Sequence, residues 1–227
     1  MSRYYSKKLI NTLLDRCNGY CECCGADIIL DKHHILEWSN KGSTTLDNLI
    51  CLCPSCHRQI PLILNKYQQN YLQTWHNNNI RANKSAIYNI LKSNNKFIIG
   101  SNIYIDCKNI LLINGQNIIT PFQEKNRFYI NVIMLENFEP KILILNNKLI
   151  TNNPNSEIIN KDNYILLKSE GKKIFELSKS NNSIYVNMQF KYKGINFDFN
   201  QERSIFPGFN VLQNCTFQGG TAISYND

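Results

Sequence analysis

The 227-residue sequence has no apolar run near the ~18 residues a helix needs to cross a bilayer. Its opening residues, MSRYYSKKLINTLL, have neither the apolar core nor the cleavage site of a secretory signal. Membrane-bound and exported readings are set aside, and a reducing cytoplasm is the expected setting. With 10 glycines, 6 prolines, 43% hydrophobic and 19% charged residues, collagen-like, fibrous and wholly disordered readings fall away too. No repeat of fixed period is visible. The length suits one domain of ordinary size plus a small one.

Cysteine is scarce beyond the first quarter, where only Cys107 and Cys215 occur; the other seven are Cys17, Cys21, Cys23, Cys24, Cys51, Cys53 and Cys56. An odd total of nine in a reducing compartment argues for metal and against disulfides. Acidic residues are scarce in the same region. Residues 1–100 carry 12 Lys/Arg against 6 Asp/Glu, whereas residues 101–227 carry 13 against 11, so most of the +8 net charge lies with the cysteines. That placement favours a polyanionic partner for the first part of the chain. The 35 asparagines fit the codon bias of an AT-rich genome, and no function is read from them.

Residues 3–16 place Leu9, Leu13 and Leu14 at helical spacing, with Lys7, Lys8 and Arg16 around them, and Asn18-Gly19 is a turn signal. Residues 20–57 have too little apolar periodicity for a core of their own and call for a metal staple. From Pro61, the residues Leu62, Leu64, Tyr67, Tyr71, Leu72 and Trp75 fit one helical face, and Ile87, Tyr88, Ile90 and Leu91 a second short helix. His76-Asn77-Asn78-Asn79 reads as the break between them and Ser93–Lys96 as a linker. After Phe97 the period falls to 2. Val186, Met188, Phe190 and Tyr192 alternate with polar residues, as do Ile195, Phe197 and Phe199, and Asn114-Gly115, Asn146-Asn147 and Glu170-Gly171 are hairpin turns. Gly208, Gly219, Gly220 and the polar tail suggest an irregular C-terminal region.

The expected class is α+β: residues 1–60 form a metal-stapled domain with an N-terminal helix, 61–96 a helical extension and linker, and 97–227 a mostly antiparallel β-sandwich or barrel.

Cys21-Glu22-Cys23-Cys24 and Cys53-Pro54-Ser55-Cys56 are two C-x2-C knuckles with 28 residues between Cys24 and Cys53. Two such pairs close a tetrahedral zinc site whose thiolates leave no position for substrate, so this zinc is structural. The x2 spacing favours Cys21, Cys24, Cys53 and Cys56, with Cys23 and Cys51 as competitors. Beside the knuckles lie three of the four histidines, His33, His34 and His57, together with Asn48. His76 stands apart after Trp75 as an exposed helix-end residue, and Trp38 and Trp75 read as packing residues.

From Tyr20 to Arg58 the chain resembles the HNH endonuclease family in its zinc-knuckle ββα-metal form. It has the cysteine pairs, the His33-His34 doublet, the Gly42 turn, the Asp47-Asn48-Leu49 triplet and the closing Cys56-His57 in that family's order. The resemblance implies phosphodiester hydrolysis in DNA leaving 5′-phosphate and 3′-hydroxyl ends. His34 would be general base, with the Asn48 side-chain carbonyl accepting from its ring, and His33 and His57 would hold one divalent ion. Hydrolysis requires those roles: a base for water, a cation for the phosphorane and leaving oxygen, and a group that orients the base. Many family members have Asp where His33 stands. Two neutral imidazoles suit Mn, Ni, Co or Zn better than Mg. Asp31 is a third-ligand candidate or a turn residue. If His33 and His34 share a strand, their side chains point to opposite faces unless the strand ends or bulges, and a local distortion is implied.

Lys32, Lys41, Arg58 and Lys66 surround the motif and are candidates for phosphate contacts. The β-rich part has little net charge to grip DNA, and Phe122, Phe128, Tyr129, Phe138, Tyr185, Phe206 and Phe209 are candidate core. It would read a target sequence, as in a restriction enzyme, or sense a ligand or regulatory protein, or pair in a homodimer, as in a defence effector; the sensor role fits its charge better. A rival of another class is a non-catalytic zinc module that binds nucleic acid or protein. Such a module needs neither His34 nor Asn48, and both are present.

Overall fold

The computed structural model describes residues 5–73, 85–87, 96–124, 127–136, 139–151, 156–161, 164–180, 183–192, 194–206 and 210–226. The chain divides into two compact units, Met1–Asn83 and Lys84–Asp227.

In the first unit α1 spans Lys7–Cys17. Ser6 starts it by accepting from the Leu9 N–H, and Asn18 ends it in the left-handed region at φ 48°. Its inward face sets Leu13 and Cys17 against Leu49 and Cys51, with Tyr5, Leu9, Leu30 and Leu46 packed around them. β1 (Asp31–His34) pairs antiparallel with β2 (Leu49–Leu52), placing His33 opposite Ile50 and His34 opposite Leu49. α2 (Pro54–Ile63) follows at once, its first turn capped by the Cys53 side chain and favoured by Pro54 in the first helical position. This is the expected ββα order.

The long helix expected from Pro61 onward is broken. Pro61 sits inside α2 without an N–H to give, Leu64 turns extended at φ −104° and ψ 129°, and Asn65 opens the short α3 (Lys66–Gln69) with a capping box to Gln68. Leu64 and Leu72 are buried, but Leu62 and Tyr67 are exposed, so the supposed single apolar face does not exist. Trp75, His76, Tyr88, Ile90 and Leu91 lie outside the described residues. Ser85–Ile87 is a strand paired with Lys148–Thr151, which corrects the second helix expected there. Its β-branched Ile87 is as compatible with a strand as with a helix, and tertiary pairing decides.

The second unit is a pair of sheets. One runs Thr221–Tyr225, Asn109–Ile113, Gln116–Glu124, Arg127–Glu136, Glu139–Leu145, Lys148–Thr151, Ser85–Ile87. The other runs Ser156–Lys161, Tyr164–Ser169, Lys172–Ser180, Ser183–Tyr192, Ile195–Phe199, Ser204–Phe206, Asn210–Leu212, with Lys96–Ile99, Asn102–Ile105 and Thr216–Gln218 attached beside it. Strand Ser183–Tyr192 packs on Arg127–Glu136, and the Phe197 and Tyr225 rings meet edge to face at 5.8 Å across the two sheets. Core side chains include Phe175, Phe197, Phe199, Tyr104 and Phe206, while Tyr129 and Tyr185 are half-buried. Phe138 and Phe209 lie outside the described residues.

The hairpin turns are where the sequence puts them. Asn114-Gly115, Asn146-Asn147 and Glu170-Gly171 all adopt positive φ at both positions, matching the right-handed twist of their strands. The C-terminal stretch is not irregular. Thr216–Gln218 runs parallel to Asn102–Ile105, and Thr221–Tyr225 parallel to Asn109–Ile113. Each pair of strands changes sheet at a sharp corner, one at Asp106 (φ 51°) and the other at Gly219 and Gly220 (φ 69° and 59°). The corners are tied by Lys108 N–H donating to the Gly220 carbonyl and Gly219 N–H to the Ile105 carbonyl. Among the described residues no helix is long and apolar enough to cross a membrane.

Candidate metal centre and hydrolytic site

Cys21, Cys24, Cys53 and Cys56 converge with their sulfurs all within 4.8 Å of one another. The Cys24–Cys53 separation is 3.8 Å. A tetrahedron with Zn–S bonds of ~2.3 Å has an edge of ~3.8 Å, so the quartet matches a zinc site in donor type and size. The first knuckle is a tight turn in which Gly25, at φ 68°, gives its N–H to the Cys21 carbonyl; in the second, Cys56 N–H points at the Cys53 sulfur. Hydrogen bonds from Cys21, Cys24 and Cys56 push the Cys53 thiol far below its ordinary value, while neighbouring sulfurs push Cys21 and Cys56 far above theirs. The crowded sulfurs thus hold Cys53 toward the thiolate and Cys21 and Cys56 toward the thiol. A divalent cation stabilises all four thiolates together. Of the two competitors, Cys23 is buried beside Cys56, and Cys51 faces Cys17 in the core beneath α1.

A second staple was not legible in the sequence. Glu22, inside the first knuckle and 0% exposed, accepts from Arg16 Nε at 2.8 Å and Nη2 at 2.8 Å and from the Cys51 N–H at 2.6 Å. Arg16 also donates to the Leu46 and Leu49 carbonyls. Burial pushes the Glu22 carboxyl up, and Arg16 and the Cys51 N–H pull it back toward the charged form. Arg16, expected merely to flank the helix, therefore locks α1 to the knuckle and to β2.

The histidines separate by ordinary strand alternation. Pairing of β1 with β2 runs without a register shift and β1 ends at His34, so the irregularity expected at the doublet is a strand end and not a bulge. His33 meets the α2–α3 side: its ring lies 5.1 Å from that of His57, near perpendicular, and its Nε2 is 2.9 Å from Gln69 Oε1. His34 meets Thr44 Oγ1 through Nε2 at 3.3 Å, with the Tyr5 and Trp38 rings at 5.9 and 6.3 Å. Trp38 is 40% exposed, so it edges the site and is not buried packing. Desolvation holds the His33 imidazolium below its usual value, with the nearby His57 and His34 adding to the effect against the Gln69 hydrogen bond. A neutral ring is what a metal ligand requires. Asp31 is not a turn residue. It is the first residue of β1, on the same face as His33, and its Oδ2 lies 3.0 Å from His57 Nδ1.

Asn48 takes a different position from the one expected. Its side-chain oxygen accepts from the Leu36 N–H at 2.8 Å, and its Nδ2 donates to the carbonyls of Leu36 at 3.0 Å and Ser43 at 2.8 Å. Its backbone carbonyl accepts from the Ile35 N–H at 3.0 Å. Asn48 therefore clamps the loop that follows His34, because the loop's peptide groups take both hydrogens of the carboxamide and bond to its oxygen. Gly42 belongs to the same clamp. A Cβ there would overlap the Leu36 carbonyl, which explains a glycine at that turn. Of the candidate phosphate contacts, Lys41, Arg58 and Lys66 are exposed, and Lys32 is half-buried with its Nζ 6.0 Å from the Tyr5 ring.

A ββα unit closed by a thiol quartet, with two imidazoles on its strand and one on its helix, is a ββα-metal domain of the zinc-knuckle kind. Residues 21–60 match the family model for HNH endonuclease, so the first unit carries an HNH endonuclease domain. The chain is also 35% identical over 57 residues to the type IV methyl-directed restriction enzyme EcoKMcrA of Escherichia coli (strain K12). That match covers 21% of this chain and 21% of the relative, so the chain spans about a fifth of that protein's length.

Proposed function

We propose that this chain is a metal-dependent DNA endonuclease of the restriction or defence type, acting in the cytoplasm, with one structural zinc and one hydrolytic divalent ion. The observation that carries the reading is the meeting of His33 and His57 at 5.1 Å in an HNH endonuclease domain, with His34 next along the same strand. Cys21, Cys24, Cys53 and Cys56 hold the zinc, which fixes the start of α2 and so the place of His57. The donor set fits a divalent ion: two imidazoles leave most coordination positions to water and phosphate oxygens, as an open hydrolytic site needs. When bound, that ion stabilises the negative charge that gathers on the phosphorus oxygens and the leaving oxygen.

His34 takes a proton from the attacking water, and Thr44, 3.3 Å from its Nε2, orients its ring. Asn48 keeps the loop of residues 36–43 folded against the strand, which holds His34 at its end. Lys32, Lys41, Arg58 and Lys66 contact phosphates on either side of the scissile bond. The second unit restrains or directs cutting by sensing a ligand or partner; target recognition in DNA is the other way it would serve a restriction-type enzyme. The test is cleavage of supercoiled plasmid by the full chain with Mg²⁺, Mn²⁺, Co²⁺ and Ni²⁺ in turn. Cleavage is expected with at least one of them, weakened in His33→Ala and His57→Ala and partly restored by raising Mn²⁺. Intact binding of DNA without cutting under every metal overturns the proposal in favour of a non-catalytic zinc module.

A further inference from the structure

We infer that Gln69, nine residues beyond the HNH span, is a positioning residue for the hydrolytic ion: it fixes the tautomer of His33 so that Nδ1 presents the lone pair. The inference rests on the reading of His33 and His57 as ligands. It follows from a chain of donors and acceptors whose polarity is fixed at one end. The Leu64 carbonyl can only accept, so the end of the Gln69 carboxamide 2.9 Å from it must be the Nε2 amine. The other end, Oε1, faces His33 Nε2 at 2.9 Å and can only accept. His33 Nε2 therefore carries the proton, and Nδ1 is left as the donor atom for a metal.

Burial makes the constraint effective. Gln69 is 4% exposed and His33 7%, so water has little access to replace a lost partner. Gln69 is itself held in place, since its N–H donates to the Asn65 carbonyl at 3.0 Å and it ends the short helix opened by the Asn65–Gln68 capping box. The broken helix after Pro61 acquires a use here: the extended residue Leu64 aims its carbonyl at the amide, and α3 brings the amide over the strand. His57 is set in the same way by a different group. Asp31 Oδ2 accepts from Nδ1 at 3.0 Å, leaving Nε2 for the ion. One imidazole thus binds through Nδ1 and the other through Nε2, one backed by a buried neutral amide and the other by a half-exposed carboxylate. Such outer partners typically change metal affinity ~10–100-fold.

The experiment uses the full-length, zinc-loaded chain with two readouts. Long-range ¹H–¹⁵N correlation of the histidine rings, without added Mn²⁺, is expected to show His33 as the Nε2–H tautomer in the wild type and a mixed or Nδ1–H population in Gln69→Leu. Calorimetric titration with Mn²⁺ is expected to show affinity lowered ~10–100-fold in Gln69→Leu and held within a few-fold in Gln69→Glu, which keeps an acceptor for the same proton. Zinc content and far-ultraviolet circular dichroism stay unchanged in both variants. A wild-type His33 in the Nδ1–H form overturns the inference without any variant, as does Gln69→Leu with unchanged tautomer and unchanged Mn²⁺ affinity. If His33→Ala binds Mn²⁺ as the wild type does, the ligand assignment fails, and the tautomer readout still decides what Gln69 does.

Discussion

The two units of this chain are held together by different physics. The first centres on a small cluster, Leu13, Cys17, Leu49 and Cys51, and adds a thiol quartet and a buried Arg16–Glu22 pair. The second buries rows of Ile, Leu, Val and Phe side chains between two sheets. A segment that brings four thiols and three imidazoles together has few apolar residues to spare for a core. The thiol quartet and the ion pair tie that segment together, and the hydrophobic effect does so in the sandwich. Net charge does not divide along that line: Met1–Asn83 carries 9 Lys/Arg against 6 Asp/Glu and Lys84–Asp227 carries 16 against 11, so the excess seen in residues 1–100 owes half its size to Lys84, Lys92 and Lys96 of the second unit.

Removing zinc is the strongest way to break this comparison. Cys53→Ser, or exhaustive chelation, is expected to unfold the first unit and abolish its function while the sandwich keeps its β-sheet signal. Binding to structural zinc sites is worth ~10–16 kcal/mol, and that energy is folding energy. Hydrogen exchange resolved by segment checks it: protection should vanish in residues 5–73 and persist in 96–226. Simultaneous loss from both would show that the units do not fold independently.

The converse change is Phe175→Ala, which empties a fully buried position in the sandwich and is expected to cost ~3–5 kcal/mol in the second unit. Zinc content, measured by metal analysis, should not move. Arg16→Ala is expected to cost a similar ~3–5 kcal/mol in the first unit alone, because it leaves the Glu22 carboxylate buried without its partner. Since burial holds the Glu22 pKa above its unfolded value, the unfolded chain releases that proton first. The variant's loss should therefore be smallest in acid and grow as pH rises through the folded Glu22 pKa, seen in thermal melts at several pH values with zinc in excess.

The smallest effect tests which unit grips DNA, since net charge alone does not separate them. Arg58→Glu and Lys41→Glu are each expected to lower the slope of log affinity for DNA against log salt by about 1 or more. Lys168 and Lys173, already paired with Glu157 and Glu176, should leave it unchanged when replaced by Gln. Equal slopes across all four variants would spread the DNA surface over both units.

Legibility in the sequence followed the range of the interaction. The knuckles, the three hairpin turns and the alternating strands depend on residues within a few positions of each other, and they stand where spacing placed them. The last strands could not be read, because Thr216–Gln218 and Thr221–Tyr225 find parallel partners more than 100 residues away, and the corner glycines resemble loose coil from sequence alone. Within the site, the residue types were visible but not their pairings. Asn48 clamps a loop because Leu36 and Ser43 lie under it, and Gln69 meets His33 only because Pro61 and Asn65 break a helix between them. Asp31 carries a local signal, since it stands two positions before His33 on one strand face.

The decisive measurement is plasmid cleavage by wild type and His34→Ala, side by side, across Mg²⁺, Mn²⁺, Co²⁺ and Ni²⁺, with zinc content and DNA affinity determined on the same preparations. Loss of a general base predicts cutting reduced ~10²–10⁴-fold at every metal concentration, with zinc and DNA binding intact and no rescue by Mn²⁺. Cutting by His34→Ala at the wild-type rate would contradict the assignment of hydrolysis to this site.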